Sequence, residues 1–229
     1  GNVNHVYTKA IRGFAANISA RGAAQMQASN PRIAYCEQDQ VVKIVQGKPD
    51  KGGSTGSASE TTPWGIARVG GGQTGATGRA FVIDSGVDLD HPDLNVNTAM
   101  SRSFTREKNG DDGNGHGTHV AGTIAAIANN NIGVVGVAAG AEVVAVKVLT
   151  RSGSGSNSGV IAGVDYVAQV GRAGDVANMS LGGGVSTTLD NAVINAAAGG
   201  VKFILAAGNE SDNAENHSPA RANGPNVYT

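Results

Sequence analysis

From Ala80 onward the chain alternates short apolar runs with stretches of helical length, and that alternation limits the folds open to it. AFVID (80–84), EVVAVKVL (142–149), DVANMSL (175–181) and the run 202–207 are too short for helices and carry many β-branched residues. They read as strands buried on both faces. Helical patterns over 117–128, 159–170 and 187–199 fall between them. Strand and helix in alternation predict an α/β fold, a doubly wound and mostly parallel sheet. In such sheets the chemistry gathers at the carboxyl ends of the strands. Asp84 closes the first run, and Asn209 follows the last one in AAGN.

Between the first two strands lies Asp111–Gly122, DDGNGHGTHVAG. Its glycines permit a tight turn and close backbone approach. His116 falls in that turn, directly before an apolar helix. A histidine held rigidly at a helix mouth suits a general base, because its ordinary pKa lies near neutrality. Asp84 is placed to orient such an imidazole, and an amide at Asn209 is placed to stabilise an oxyanion. His119 lies three residues after His116. Zinc-binding helix histidines usually stand four apart, so a metal pair with Asp111 or Asp112 is the lesser reading, and His119 is expected to pack in the helix or bond to backbone.

Composition removes several classes. A net charge of −1 over 229 residues gives no footprint for nucleic acid or an acidic membrane. No apolar run reaches the length of a membrane span. One cysteine, Cys36, excludes an intrachain disulfide and is expected to be a small buried hydrophobe. Gly70, Gly72 and Gly75 match a dinucleotide fingerprint by letters, but they precede a strand instead of following one and read as loop.

Five stretches, VIDSGV (82–87), HPDL (91–94), NGHGTHVAG (114–122), NMSLGGG (178–184) and AAGN (206–209), occur in an order and spacing that resemble the subtilisin-like serine proteases, or subtilases, and their proteinase K-like branch most closely. The resemblance implies a secreted, extracellular serine endopeptidase that acts on proteins or peptides through an acyl-enzyme. It makes Asp84 and His116 members of an Asp-His-Ser triad and Asn209 the oxyanion donor. Gly153, Ser154 and Gly155 on one side, and Ser180, Leu181, Gly182 and Gly183 on the other, become strands that sandwich an extended peptide. An aromatic lid common in that branch is replaced by Asn157. The family's serine motif is absent from the sequence, and Ser85, Ser180 and Ser218 lack a nucleophile's context, so the serine is expected outside this chain. Pro225 and Val227 match positions whose carbonyls bind a structural calcium.

The resemblance also divides the chain. Residues 1–45 are similar to an inhibitory prodomain, a small α+β unit of ferredoxin-like type entered part-way. Strands are expected over 6–14 and 33–45, with a helix over 19–28 capped by Ser19. Residues 46–62 read as an exposed linker holding the processing site. Residues 63–229 form the catalytic domain, itself expected to be incomplete. The prodomain is expected to act as the protease's own intramolecular inhibitor, its C-terminal end lying along 153–155 and 180–182 like a product strand. The alternative is a non-catalytic peptide-binding or inhibitory protein that kept the fold without the nucleophile. A metal hydrolase using His116 and His119 is the other rival.

Overall fold

The computed structural model describes residues 2–45 and 59–229; most of the expected linker, 46–58, lies outside the described residues. At the N-terminus β1 (Val3–Tyr7) and β2 (Gly13–Ala16) pair antiparallel, followed by α1 (Ala20–Ser29). Ser19 caps α1 as expected, its hydroxyl accepting the Gly22 N–H. The strand expected across 6–14 is instead two hairpin arms and a loop. The loop leaves the ladder because the N–H groups of Thr8, Lys9 and Ala10 all turn to the carboxylate of Asp165.

The strand expected over 33–45 is a strand only at β3 (Val41–Ile44), which pairs with no strand of the N-terminal region. No ferredoxin-like sheet therefore closes among residues 2–45. Cys36 is exposed and free, contrary to the buried site expected of it, because 34–40 run across the molecular surface.

The remainder is one doubly wound layer structure. α2 (Trp64–Arg68) leads to β4 (Ala80–Asp84), the short β5 (Asn95–Val96) and β6 (Arg102–Ser103), then α3 (His116–Ala125) and β7 (Glu142–Lys147). After these come β8 (Ser154–Ser156), α4 (Asn157–Val170), β9 (Val176–Met179), β10 (Leu181–Gly183), α5 (Thr187–Ala197), β11 (Lys202–Leu205) and β12 (Val227–Tyr228). Seven strands form one sheet in the order β12-β11-β9-β4-β7-β5, with β6 also on β7, and every pairing is parallel. The run 175–181 is two strands, not one. β9 ends inside the large sheet at Met179, and the chain then leaves it so that β10 can join a separate three-stranded sheet, β10-β3-β8.

All five residues of β4 are buried, which its uninterrupted apolar run required. Alternate side chains go to opposite faces. Phe81 and Ile83 join Val144, Val146, Met179 and Phe203 in the core beneath α4 and α5, while Val82 joins Val143, Ala145, Ala121 and Ala125 beneath α3. α4 is apolar almost all round because it is covered on two sides, by the sheet and by the N-terminal hairpin. The body begins ahead of the expected residue 63. Glu60 accepts the N–H groups of Asn129, Asn130 and Asn131 at 2.9, 2.8 and 3.2 Å, and Thr61 bridges to Val134. Gly70, Gly72 and Gly75 lie, as expected, in a loop before β4.

Candidate active site

Asp84 is the last residue of the central strand β4, fully buried at the carboxyl edge of the sheet. Its carboxylate takes the Ser85 N–H at 2.6 Å and lies 2.8 and 3.0 Å from Nδ1 of His116. α3 packs so tightly on the turn after β4 that a Cβ at Gly117 would stand 2.0 Å from the Gly86 carbonyl oxygen. Only glycine allows that approach, and it brings the neighbouring His116 onto Asp84. The hydrogen bond from His116 to Asp84 raises the histidine's pKa; burial opposes the rise, while the Asp84 charge, a backbone hydrogen bond with Val45 and the Asp112 charge add to it.

Two supporting residues escaped sequence reasoning. Asp112, weighed there only as a metal ligand, is the hub of the turn. It accepts N–H groups from Asn114, Gly115 and Thr118 at 2.9, 3.0 and 2.9 Å, and hydroxyls from Thr118 and Ser85 at 2.6 and 2.9 Å. Burial pushes its pKa up, but these donors more than reverse the push and hold it below the ordinary value. The Ser85 hydroxyl also accepts the Gly117 N–H at 3.0 Å, tying β4 to α3. A carboxylate placed before a Gly-x-Gly turn with threonine six residues on was the available signal. Lys147, read as one more strand residue, is completely buried. Its ammonium donates to the Ser85 carbonyl and pairs with Glu107 at 2.8 Å.

The cleft strands are β8 and β10, and β3 fills the space between them, antiparallel to both. Val41, Val42 and Lys43 stand opposite Ser156, Gly155 and Ser154; Val42, Lys43 and Ile44 stand opposite Gly183, Gly182 and Leu181. A Cβ at Gly183 would come within 2.9 Å of the Val41 carbonyl oxygen, so glycine there lets β3 seat. The ladder runs on: Ile44 N–H donates to the Gly153 carbonyl at 2.9 Å and Val45 N–H to the Ser180 carbonyl at 3.1 Å. All seven residues expected to hold a peptide thus flank one extended segment, which ends with Val45 against His116.

The segment reaches the cleft over two helix N-termini. Asp39 accepts the N–H and hydroxyl of Ser158 at 2.9 and 2.6 Å at the start of α4. Glu37 accepts the Thr188 N–H and hydroxyl at 3.1 and 2.8 Å, and the Ser186 hydroxyl, at the start of α5. Carboxylates there satisfy orphan N–H groups and meet the positive end of the helix dipole.

The other expected residues are less engaged. Asn209 lies exposed beyond β11, two strands from β4 on the same sheet edge, and its own N–H donates to Glu210 at 2.8 Å. Among the described residues its side chain makes no hydrogen bond to the Asp84–His116 pair. His119 is exposed, not packed, because it sits on the solvent side of α3. No group of three or more His, Cys, Asp or Glu side chains among the described residues is arranged to hold a metal. Pro225 and Val227 lie in the turn leading into β12 and at its start, and belong to no such group. No hydroxyl among the described residues is hydrogen-bonded to His116. Ser85 and Ser218 are fully buried and engaged elsewhere, and Ser180 accepts from Asn178 at 2.8 Å.

The family model described as the subtilase family matches residues 81–229. An alkaline serine exoprotease A of Vibrio alginolyticus is 40% identical over 96% of this chain and 41% of its own length. An extracellular serine proteinase of a Thermus species is 41% identical, over 96% of this chain and 52% of its own. Proteinase R of Parengyodontium album is 35% identical, over 96% and 56%. The chain therefore spans about half the length of the curated relatives it matches. The crystal structure of a cold-adapted subtilisin-like serine proteinase superposes with a TM-score of 0.52 at 44% identity, covering 66% of this chain and 52% of that one.

Proposed function

The chain belongs to the subtilase family, and from that premise we propose that it is the precursor form of a secreted serine endopeptidase. Residues 2–45 are its inhibitory prodomain, and residues 60–229 carry two of the three catalytic groups. The observation that carries this reading is β3 seated between β8 and β10 with Val45 at His116.

In this reading a peptide binds by completing the β10-β3-β8 sheet. Main-chain bonds supply affinity, and the glycines let the peptide backbone approach. Asp84 accepts from Nδ1, which fixes the imidazole tautomer with its other nitrogen free to take a proton. A serine hydroxyl from outside residues 1–229 attacks the carbonyl. Its proton passes to His116 and then to the leaving amine, and an acyl-enzyme forms and is hydrolysed. The Asn209 amide is the oxyanion donor. The ladder supports Val45, hydrogen-bonded to Ser180 and next to His116, as the acyl residue of the processing bond, with the prodomain then remaining as a product bound by the same ladder.

Glu37, Asp39 and Asp165 support the inhibitory role, since each carboxylate binds across from one region to the other. Secretion is inferred from the Thermus relative, which is named extracellular. No helix among the described residues is long and apolar enough to cross a membrane. Structural calcium at the Pro225 and Val227 carbonyls is part of the proposal; a rise in melting temperature on exchanging chelator for calcium checks it.

The experiment is intact-mass analysis of the full-length precursor and of its His116→Ala form. The expected result is a fragment ending at Val45 from the first and none from the second. Cleavage at another bond, or cleavage unaffected by His116→Ala, overturns the reading.

A further inference from the structure

Lys147 ends β7, and its register partner across the sheet is Asp84. An ammonium with no exposed surface is costly unless charge and hydrogen bonds compensate it. Here the partners are the Ser85 carbonyl, one residue past Asp84, and Glu107 Oε2 at 2.8 Å. Glu107 arrives there because β6 runs beside β7 as far as Lys147, and the Phe104 N–H donates to the Lys147 carbonyl at 2.8 Å. The Thr105 hydroxyl then turns the chain by accepting the Glu107 N–H at 3.0 Å. The Lys147 ammonium, and after it the Arg151 N–H, hold the Glu107 carboxyl below its ordinary pKa, so it stays charged at neutral pH.

The other carboxylate oxygen of Glu107, Oε1, accepts the Arg151 N–H at 3.1 Å. Arg151 lies in the turn between β7 and β8, which closes where the Thr150 N–H donates to the Ser154 carbonyl and the Gly153 N–H to the Thr150 carbonyl. The Arg151 carbonyl accepts the Asn114 amide at 3.0 Å, and Asn114 Oδ1 accepts the His116 N–H at 3.3 Å. The glycine turn before His116 packs on the same place: a Cβ at Gly113 would stand 3.1 Å from the Arg151 Cβ. With the His116–Asp84 bond these contacts close a ring that returns to Ser85. One side of the ring is the Asp84–His116 pair. The opposite side is the turn that presents β8.

We propose that Lys147 and Glu107 are positioning residues, a buried brace that fixes the Asp84–His116 pair relative to a peptide bond laid along β8. The inference rests on the cleft being the peptide site described above. Lys147 holds the turn that carries Asp84. Glu107 extends that hold to the turn before the strand on which the peptide lies, and Asn114 brings it back to His116. Neither Lys147 nor Glu107 has to touch the peptide. Proton transfer at His116 depends on its placement against the reacting carbonyl, and an error of about 1 Å costs about a hundredfold in rate. Peptide affinity depends on main-chain bonds to β8 and β10, which the brace does not make. Loss of the brace therefore lowers kcat and leaves KM nearly as it was.

Three variants of the full-length enzyme test the brace. Lys147→Met removes the charge and keeps an apolar stem, while Glu107, whose side chain is 35% exposed, regains water. Glu107→Ala breaks both contacts of the carboxylate, and Glu107→Gln keeps an acceptor for the Arg151 N–H. Kinetics are measured well below each variant's melting temperature. The expected result is a fall in kcat of about a hundredfold in Lys147→Met and Glu107→Ala and of about tenfold in Glu107→Gln, with KM held within about twofold. In the chain of 229 residues, nuclear magnetic resonance of the His116 Nδ1 proton, which Asp84 binds, reads the placement without requiring catalysis. That resonance is sharp and far downfield in the unaltered chain and in Glu107→Gln, and broadened or lost in the other two. Variants that melt earlier yet keep kcat and the His116 resonance overturn the inference, since the pair would then serve stability alone. Hydrolysis of no peptide by the unaltered full-length enzyme overturns the proteolytic reading, and the resonance still decides whether Lys147 and Glu107 hold the Asp84–His116 pair.

Discussion

The two regions on either side of the linker are stabilised in different ways. Residues 60–229 bury whole strands between two core clusters, one on each face of the sheet, under α3 on one side and α4 and α5 on the other. Residues 2–45 bury only Tyr7, Ala10 and Val42 among their apolar side chains, and all three join the core cluster of the body. α1 buries none of its residues. What holds the N-terminal region is mainly polar and directed: Asp165 on three backbone N–H groups, Asp39 and Glu37 on two helix ends, the Tyr7 hydroxyl on the Ser158 carbonyl at 3.0 Å, and the β3 ladder. A region without a core of its own is folded by what it docks on. That arrangement suits the prodomain role proposed above.

The largest test of this contrast is Phe81→Ala. Phe81 is fully buried in the central strand, and its loss costs about 3–5 kcal/mol. Thermal unfolding followed by circular dichroism should show both regions lost in one earlier transition, since the N-terminal region has nothing else to fold on. Asp165→Ala works in the other direction. Three N–H donors lose a carboxylate that is only 2% exposed, and docking weakens by up to about 3 kcal/mol. Trypsin should then cut after Arg12 and Arg21 quickly, while the melting of the body stays close to its original value. A body that melts with the hairpin would show the regions to be one cooperative unit.

Smaller effects separate the anchors. Glu37→Gln and Asp39→Asn each remove a charged cap, worth about 0.5–1 kcal/mol at exposed positions, and should speed the same proteolysis additively because they sit on different helices. The effect of His116 appears in the pH profile. Its folded pKa is raised, so its contribution to stability is complete below the unfolded value near 6.5 and is lost as pH climbs through the higher folded value. Stability measured by urea midpoints should fall across that window, and His116→Ala should flatten the fall. Activity of the full-length enzyme should move oppositely, rising as His116 loses its proton.

Much of this was legible in the sequence. The parallel sheet followed from uninterrupted apolar runs, since a strand buried on both faces has no other reading. Asp84 and His116 could be paired because one closes a strand and the other opens a helix after a glycine turn. The two cleft strands and the place of β3 between them came through the family resemblance; read alone, the glycine-rich 153–157 stretch looked like a loop. What stayed hidden depends on long-range contact. Nothing local distinguishes Lys147 from a surface lysine until β7 is placed beside β4. Asp112 looked like a possible metal ligand because its donors are mostly backbone N–H groups, which carry no letter in the sequence. The short extent of β3 was missed because residues 34–40 spend their polar groups on helix ends, and β-branched content alone does not reveal that competition.

The central claim is that residues 2–45 are a docked ligand of the body, not a part of its fold. Native-state hydrogen exchange at the Ile44 and Val45 amides measures it most directly, because both donate into the cleft and neither lies in the body's core. The account predicts that Asp165→Ala collapses protection at these two amides and through β1 and β2 together, while amides of β4 and β7 keep the protection set by global unfolding. Ile44 and Val45 amides that exchange only with β4 and β7, unchanged by Asp165→Ala, would contradict it.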